Sequence, residues 1–192
     1  MQTGKVDRNV INKNINKIKE ADIILMQLEI PIDTIKYVCE IASQKQIILD
    51  PAPADIKIMD KEILEKIYIM KPNETELNML TNMPTNTIEE VVMAGNKLLE
   101  HGVQNVIVSM GGKGAVLINK NMYKHFPAME SEVVDTTAAG DSFIAGITLG
   151  LAKGKEIEEC INFANKIASI TVSRHGAQSS IPSKEEVENI DK

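Results

Sequence analysis

The chain has 192 residues, of which 43% are apolar and 25% charged, and its net charge is −6 at pH 7. A chain of this size buries about 70% of the surface that its unfolded form exposes, which excludes a disordered protein and favours one folded domain over residues 1–192. The negative charge, without a run of Lys or Arg, excludes a general nucleic-acid binder, and the lack of a long apolar run excludes a membrane partner. We therefore expect a cytoplasmic protein.

The first half of the chain alternates helices and strands. The pattern predicts a helix over residues 9–20, a strand over 22–27, a helix over 32–42, and strands over 46–50 and 67–70. Runs of Ile, Leu and Val without alternation are typical of strands buried on both faces, as in a parallel sheet between two helical layers. The expected fold is therefore α/β, with three αβα layers, Rossmann-like and mostly parallel.

The second half continues this alternation and adds an edge. A capping box of Thr87 and Glu90 opens a helix over 88–100, and a strand over 105–109 follows. Residues 115–118 and 122–126 predict an antiparallel hairpin at the edge of the sheet. The last predicted elements are a short strand over 132–135, a helix with Asp141 in its first turn, a helix over 156–173 and a short helix after Pro182.

Polar or glycine-rich loops follow five of the predicted strands. They begin at Glu29, Asp50, Asn73, Ser109 and Asp135. Because ligands of open α/β sheets bind beyond the carboxyl ends of the strands, we expect these loops to form one rim.

The segment from Asp135 to Phe143 predicts an anion site with a neighbouring base. Its small side chains lead into a helix whose first backbone N–H groups point outward and attract an anion such as a phosphate. Asp141 lies in that first turn, where a carboxylate can take a proton from a hydroxyl that attacks phosphorus. The alternative is an ordinary helix start in which Asp141 only complements the helix dipole.

Two further motifs each allow two interpretations. Asn73 and Glu76 lie one turn apart, so they fit either a hydrated magnesium ion or a reciprocal capping box. The glycine loop over 109–114 lacks the spacing of a Walker motif, so it fits either a phosphate-binding loop of another kind or a flexible turn. Lys113 would supply charge in the first case and lie in solvent in the second.

These motifs resemble the ribokinase-like carbohydrate kinases, whose signature D-T-x-G/A-A-G-D matches Asp135 to Asp141. The resemblance implies that Asp141 is the catalytic base and meets the sugar, while the amides of Ala138, Ala139 and Gly140 form the anion hole. It also implies that the N-x-x-E pair binds phosphate and magnesium. The loop residues implied at the ATP phosphates and ribose are Ser109, Gly111, Gly112, Lys113 and Gly114.

The C-terminal segment R-x-G-A-Q-x-S also resembles this family, and there it implies a potassium site formed mostly by main-chain oxygens. The implied ligands are Asp135, Thr137, Thr171, Arg174, Gly176 and Ser180. The resemblance further implies that Asn165 borders the adenine and that Glu29 hydrogen-bonds the sugar.

The function implied is ATP-dependent phosphorylation of D-ribose to ribose 5-phosphate, with Mg²⁺ and K⁺. The alternatives are a nucleotide-binding module without catalysis and a kinase for another pentose, fructose 6-phosphate or a nucleoside. The resemblance begins near residue 10, and the family segment that precedes it and forms a lid over the sugar has no counterpart here. We therefore expect a truncated nucleotide-binding portion that binds ATP weakly, phosphorylates ribose negligibly and self-associates through an exposed sheet edge.

Overall fold

The computed structural model describes residues 6–189, so the ends of the expected domain, 1–5 and 190–192, lie outside the described residues. The chain divides into two compact units. The first comprises the residues up to Met110 together with Val116–Lys124, and the second comprises Gly111–Ala115 and the residues from His125 onward. One domain over the whole chain therefore stays a prediction.

The elements alternate along the chain as the sequence predicts. The strands are β1 Ile23–Gln27, β2 Gln46–Asp50, β3 Ile67–Met70, β4 Asn105–Ser109, β5 Ala115–Asn119 and β6 Tyr123–Phe126. The helices are α1 Arg8–Lys13, α2 Ile15–Glu20, α3 Ile32–Ile41, α4 Lys61–Leu64, α5 Glu74–Thr81, α6 Ile88–Glu100, α7 Ala139–Ala152, α8 Ile157–Val172 and α9 Lys184–Asn189. Short 3-10 turns lie at Ile56–Ile58, Gly111–Lys113 and Gln178–Ser180.

The six strands form one sheet in the order β1-β2-β3-β4-β5-β6. The pairs β1–β2, β2–β3 and β3–β4 are parallel, and the hairpin side of the sheet contributes antiparallel edge pairs. The structure thus confirms the predicted α/β fold with its mostly parallel sheet. The parallel strands bring their carboxyl ends, with Asp50, Met70 and Ser109, to the same edge of the sheet.

The core of the first unit is aliphatic and holds β2 and β3 in place. Ile47, Leu49, Ile67 and Met70 are fully buried there. Strand β1 differs from the prediction of burial on both faces, because it lies at the end of the sheet and its Leu25 is 40% exposed.

The predicted helix over 9–20 is two helices, α1 and α2, with a break at Asn14. The side-chain amide of Asn14 donates to the Val10 carbonyl oxygen at 2.9 Å, and its backbone N–H donates to Ile11 O at 2.9 Å. Asn competes with helical hydrogen bonds in this way and so breaks the helix. The apolar spacing, which predicted one continuous helix, contains no sign of this competition.

The second unit is built around α7 and α8. A Cβ added at Gly146 would lie 2.9 Å from Ala164 Cα, so this glycine lets the two helix backbones approach closely. The predicted strand over 132–135 was wrong, because the backbone N–H groups of Val134 and Asp135 both donate to Val172 O at the end of α8, at 2.8 and 3.1 Å. The segment is therefore fastened to a helix end and not to a sheet. Among the described helices, none has the length and apolar character needed to cross a membrane.

Candidate active site

The start of α7 forms the turn that the sequence predicts for anion binding. Ala138 is its N-cap in the left-handed conformation, with φ 62° and ψ 7°, and its side chain gives no cap hydrogen bond. The N–H of Ala139 donates to Thr136 O at 3.2 Å, so this amide is engaged within its own turn. Within residues 6–189 the amides of Ala138 and Gly140 donate to no backbone acceptor, which fits them better for an anion than Ala139.

Asp141 lies in the first turn of α7 and is exposed. The next residue, Ser142, is buried, and its hydroxyl donates to Ala139 O at 3.0 Å, which fixes the turn. The Asp141 carboxylate therefore reaches solvent from the positive end of a 14-residue helix. A phosphoryl group on the neighbouring amides and a hydroxyl on this carboxylate would be held side by side.

Asp135 connects two of the predicted motifs. Its Oδ1 accepts from Thr137 N at 2.9 Å, and its Oδ2 accepts from Gly176 N at 3.1 Å. Hydrogen bonds from Thr137, and then from the Gly176 amide, lower the pKa of Asp135 to about 2. The structure therefore brings Asp135, Thr137 and Gly176 together, as the expected potassium site requires.

The loop after α8 fits a monovalent cation in part. Main-chain carbonyl oxygens of Asp135, Thr137, Arg174 and Gly176 accept no backbone hydrogen bond within the described part of the chain, which suits oxygen coordination. Thr171 fits less well, because its carbonyl oxygen accepts from Arg174 N and its hydroxyl donates to Ile167 O.

Two side chains of this loop have contacts that limit what they can contribute. The Arg174 guanidinium pairs with Glu186 at 2.6 Å, so Arg174 would serve only through its main chain. The buried Ser180 hydroxyl donates to Ala177 O at 2.7 Å, and its oxygen keeps lone pairs for a cation.

Residues 111–114 of the glycine loop belong to the same unit as α7. Gly114 has φ 94°, and a Cβ there would clash with Phe126 O, so only glycine fits. His125 Nε2 donates to Lys113 O at 2.7 Å, a contact that the sequence gave no reason to expect. A Cβ at Gly111 or Gly112 would meet nothing within 4 Å, so this side of the loop has room for a ligand.

Asn165 is buried on α8 and its amide donates to Pro127 O at 3.2 Å. The side chain expected at the adenine is therefore fixed by the segment that also packs on Gly114. This contact explains its rigid placement, whereas its expected role at a base stays a prediction.

Asn73 and Glu76 form the capping box at the start of α5. Asn73 Oδ1 accepts from Glu76 N, and Glu76 Oε2 accepts from Asn73 N, each at 2.8 Å. Asn73 also forms a parallel bridge with Ser109 at the end of β4. Burial raises the pKa of Glu76. The structure therefore confirms the capping-box interpretation. The capping contact uses only Oε2 of Glu76, and the magnesium interpretation stays a prediction.

A buried ion pair lies at the same edge of the first unit. Lys71 Nζ is 3.1 Å from Asp50 Oδ2, and the two side chains are 4% and 3% exposed. The sequence analysis placed Asp50 at the rim but missed the pair. The signal was a charged residue directly after the last apolar residue of each of two neighbouring strands. Glu29 is exposed in the turn after β1, where a sugar contact was expected.

Each unit thus holds one set of the expected residues. In the first, Asn73, Glu76 and Ser109 lie together; in the second, Asp135, Thr137 and Gly176 do. Within the described ranges, no group of three or more His, Cys, Asp or Glu side chains is arranged to hold a metal ion.

Comparisons with known proteins agree with this geometry. Residues 5–184 match the model of the pfkB family carbohydrate kinase. The chain is 37% identical over 185 residues to ribokinase of Staphylococcus aureus, which covers 95% of this chain and 60% of that protein. Its fold matches ribokinase of Thermotoga maritima with a TM-score of 0.88 and 40% identity, over 98% of this chain and 62% of that chain.

A second solved structure adds ligands to the comparison. Arabidopsis thaliana ribokinase, complexed with ribose and ATP, matches with a TM-score of 0.88 and 34% identity, over 94% of this chain and 59% of that chain. The chain therefore spans about three fifths of the length of these relatives.

Proposed function

Because the chain belongs to the pfkB family of carbohydrate kinases, we propose that it acts in the ATP-dependent phosphorylation of a sugar hydroxyl. The observation that carries this proposal is the first turn of α7. There an exposed carboxylate, Asp141, follows directly on the amides of Ala138 and Gly140. Phosphoryl transfer needs a proton acceptor for the attacking hydroxyl and donors for the transferred group, and this turn supplies both.

In the proposed reaction, Asp141 accepts the proton of the primary hydroxyl as that hydroxyl attacks the γ-phosphorus of ATP. The oxygen–phosphorus bond to ADP breaks in the same displacement, and the amides of Ala138 and Gly140 hydrogen-bond the transferring oxygens. A positioned base contributes about 10²–10⁴-fold and one oxyanion donor about 10²–10³-fold. Magnesium, when bound with ATP near Asn73 and Glu76, supplies charge neutralisation of the phosphates.

The proposed acceptor is D-ribose, with ribose 5-phosphate as product. Ribose is the sugar in the Arabidopsis thaliana ribokinase complex, and the exposed Glu29 is the residue that we assign to its hydroxyls. A carboxylate suits this role because it accepts two hydroxyl hydrogens. Another pentose, fructose 6-phosphate or a nucleoside remains the alternative acceptor.

Potassium is the second proposed cofactor, bound by the loop from Thr171 to Ser180 and by Asp135 and Thr137. The hydrogen bond from Gly176 N to the Asp135 carboxylate supports this, because it joins the loop to the segment that leads into the α7 turn. Filling the cation site would fix the amides of that turn, where small displacements change electrostatic catalysis. Equal transfer rates in potassium and in a bulky organic cation would contradict the potassium proposal.

The partners proposed are ATP, a small sugar and a second copy of this chain. Strand β1 ends the sheet, contains no Lys or Pro, and exposes Leu25, so its edge favours pairing between copies. Sedimentation velocity of the wild type and of Leu25→Lys tests this, with fewer oligomers expected for the variant. A cytoplasmic location stays a prediction.

The experiment that tests the proposed function is transfer of label from [γ-³²P]ATP to sugar by the purified chain. Reactions contain Mg²⁺ and K⁺ with D-ribose, D-xylose, fructose 6-phosphate, a nucleoside or no sugar. We expect label in ribose 5-phosphate above the reaction without sugar. Label transfer to another of these acceptors and not to ribose would identify that acceptor as the substrate in place of ribose.

The second candidate is a nucleotide-binding module without catalysis. Saturable ATP binding in calorimetry without label transfer to any sugar would support this candidate and reject the kinase.

A further inference from the structure

Asp50 and Lys71 are the two charged side chains that are buried among the described residues. They follow the last apolar residues of β2 and β3, and the register of these strands brings them together: Leu49 pairs with Met70, and Lys71 N donates to Leu49 O at 2.9 Å. Their side chains then meet at 3.1 Å. The two side chains are 4% and 3% exposed, so little of the pair is accessible to water.

Stability alone is a weak explanation of such a pair. Removing two charges from water costs several kcal/mol for each ion, and apolar residues of similar volume often stabilise a core as well or better. The strand ends of an open α/β sheet are also where ligands bind. We therefore ask what this charge pair does for the turn that lies next to it at the ligand-binding edge.

The neighbouring turn is the capping box of Asn73 and Glu76, which begins two residues after Lys71. Pro72 O accepts from Ser109 N at 3.0 Å, and Asn73 pairs with Ser109, so the turn is fastened to β4 on one side and to the ion pair on the other. The half-buried Glu76 carboxyl belongs to this turn, so it lies on the segment that begins directly after the buried pair.

We propose that the Asp50–Lys71 ion pair is a positioning device that holds the Asn73–Glu76 turn and keeps the charge beneath it neutral, which sets the affinity of that turn for a divalent metal bound with ATP. This inference rests on the proposed function, because it assumes that metal and nucleotide bind there. With the pair intact, Glu76 presents its own charge to the metal. With one partner removed, the buried charge that remains adds to the electrostatic field at the metal.

The two single substitutions therefore act in opposite directions. Asp50→Asn leaves the Lys71 cation and lowers metal affinity, whereas Lys71→Gln leaves the Asp50 anion and raises it, each by roughly threefold to tenfold. A pair that served only the fold would shift both affinities in one direction, in step with lost stability. The double variant Asp50→Asn/Lys71→Gln is neutral again and should bind metal within about twofold of the wild type.

The experiment measures Mn²⁺ binding in the presence of ATP, by electron paramagnetic resonance of free Mn²⁺, together with the melting temperature. Asp60→Asn serves as the matched control, because Asp60 pairs with Lys36 at 3.0 Å in a partly exposed bridge of the same unit. Its Mn²⁺ affinity should equal that of the wild type. If Lys71→Gln does not fold, Asp50→Asn and this control still decide the matter.

Unchanged Mn²⁺ affinity in folded Asp50→Asn, or a decrease in both single variants, would overturn this inference and leave the proposed kinase activity intact. Absence of Mn²⁺–ATP binding by the wild-type chain would overturn both. Opposite shifts in the two single variants, restored in the double variant, would establish the pair as a positioning device.

Discussion

Two carboxylates, Asp50 in the first unit and Asp135 in the second, are held in place by different means. Asp50 is 2% exposed and is paired with the Lys71 ammonium. Asp135 is partly exposed and accepts backbone N–H groups of Thr137 and Gly176. A buried charge needs a countercharge, whereas a carboxylate near solvent can be fixed by amide dipoles. The first arrangement holds a charge pair inside the first unit, and the second fastens the Gly176 turn to the segment that leads into α7.

The largest expected effect follows from removing the buried carboxylate. Asp50→Ala leaves Lys71 buried without its countercharge, so we expect the free energy of unfolding to fall by about 3–5 kcal/mol. Urea unfolding monitored by circular dichroism measures this. Replacing both partners by apolar residues should recover most of the loss, and a loss under about 1 kcal/mol for Asp50→Ala would show that water reaches the pair.

The two capping boxes of the first unit offer a smaller and more selective test. Asn73 and Thr87 cap α5 and α6 in the same way, and the side chains of Glu76 and Glu90 accept from the backbone N–H groups of these two caps. Asn73→Ala and Thr87→Ala should each lower the free energy of unfolding by about 1 kcal/mol. Calorimetry should show weaker Mg²⁺–ATP binding for Asn73→Ala alone. Equal nucleotide binding by both variants would reduce Asn73 to a helix cap.

Removing the amide-bound carboxylate should act locally. Asp135→Ala frees the N–H of Gly176, so we expect faster hydrogen exchange over residues 173–180 with little change in the melting temperature. Exchange followed by mass spectrometry measures this, with Glu132→Ala as the control because Glu132 is exposed on the same segment. Unaltered exchange at Gly176 would show that other contacts hold the loop.

The smallest expected effect concerns an exposed ion pair. The hydrogen bond from Lys36 lowers the pKa of Asp60 below its usual 3.8. A lowered pKa in the folded state means that the carboxylate stabilises the fold above about pH 3.8 and loses this contribution as the pH falls through its folded pKa. The stability difference between the wild type and Asp60→Asn should therefore shrink in acid. A difference that grew in acid would contradict the assigned pKa.

The sequence predicted the fold where one signal dominated. Strands β2, β3 and β4 lie where their runs of Ile, Leu and Val predicted them. A parallel strand that is buried on both faces is written in the sequence as such a continuous apolar run. The predicted strand over 132–135 was wrong because it rested on the same kind of signal. Val133 and Val134 form an apolar pair, but the backbone N–H groups of Val134 and Asp135 donate to Val172 O at the end of α8 and not to a strand. Only the tertiary structure decides between these partners.

The site was predictable as motifs and not as contacts. Asn73 with Glu76 and the turn before Asp141 are local patterns, so spacing was enough to indicate them. The contacts of Lys71 with Asp50 and of His125 with Lys113 join residues that are distant in sequence or lie on different strands, so no short pattern encodes them. The roles at ATP, sugar and cations stay predictions.

The most direct test of the central claim is the substitution Asp141→Asn, measured by label transfer to D-ribose and by ATP binding on the same protein. We expect transfer to fall by about 10²–10⁴-fold, because the amide cannot accept the hydroxyl proton, while ATP binding stays close to that of the wild type. The exposed Glu185 on α9 provides the control variant, Glu185→Gln. Transfer by Asp141→Asn at the wild-type rate would contradict the account and leave Asp141 as a residue that only complements the helix dipole.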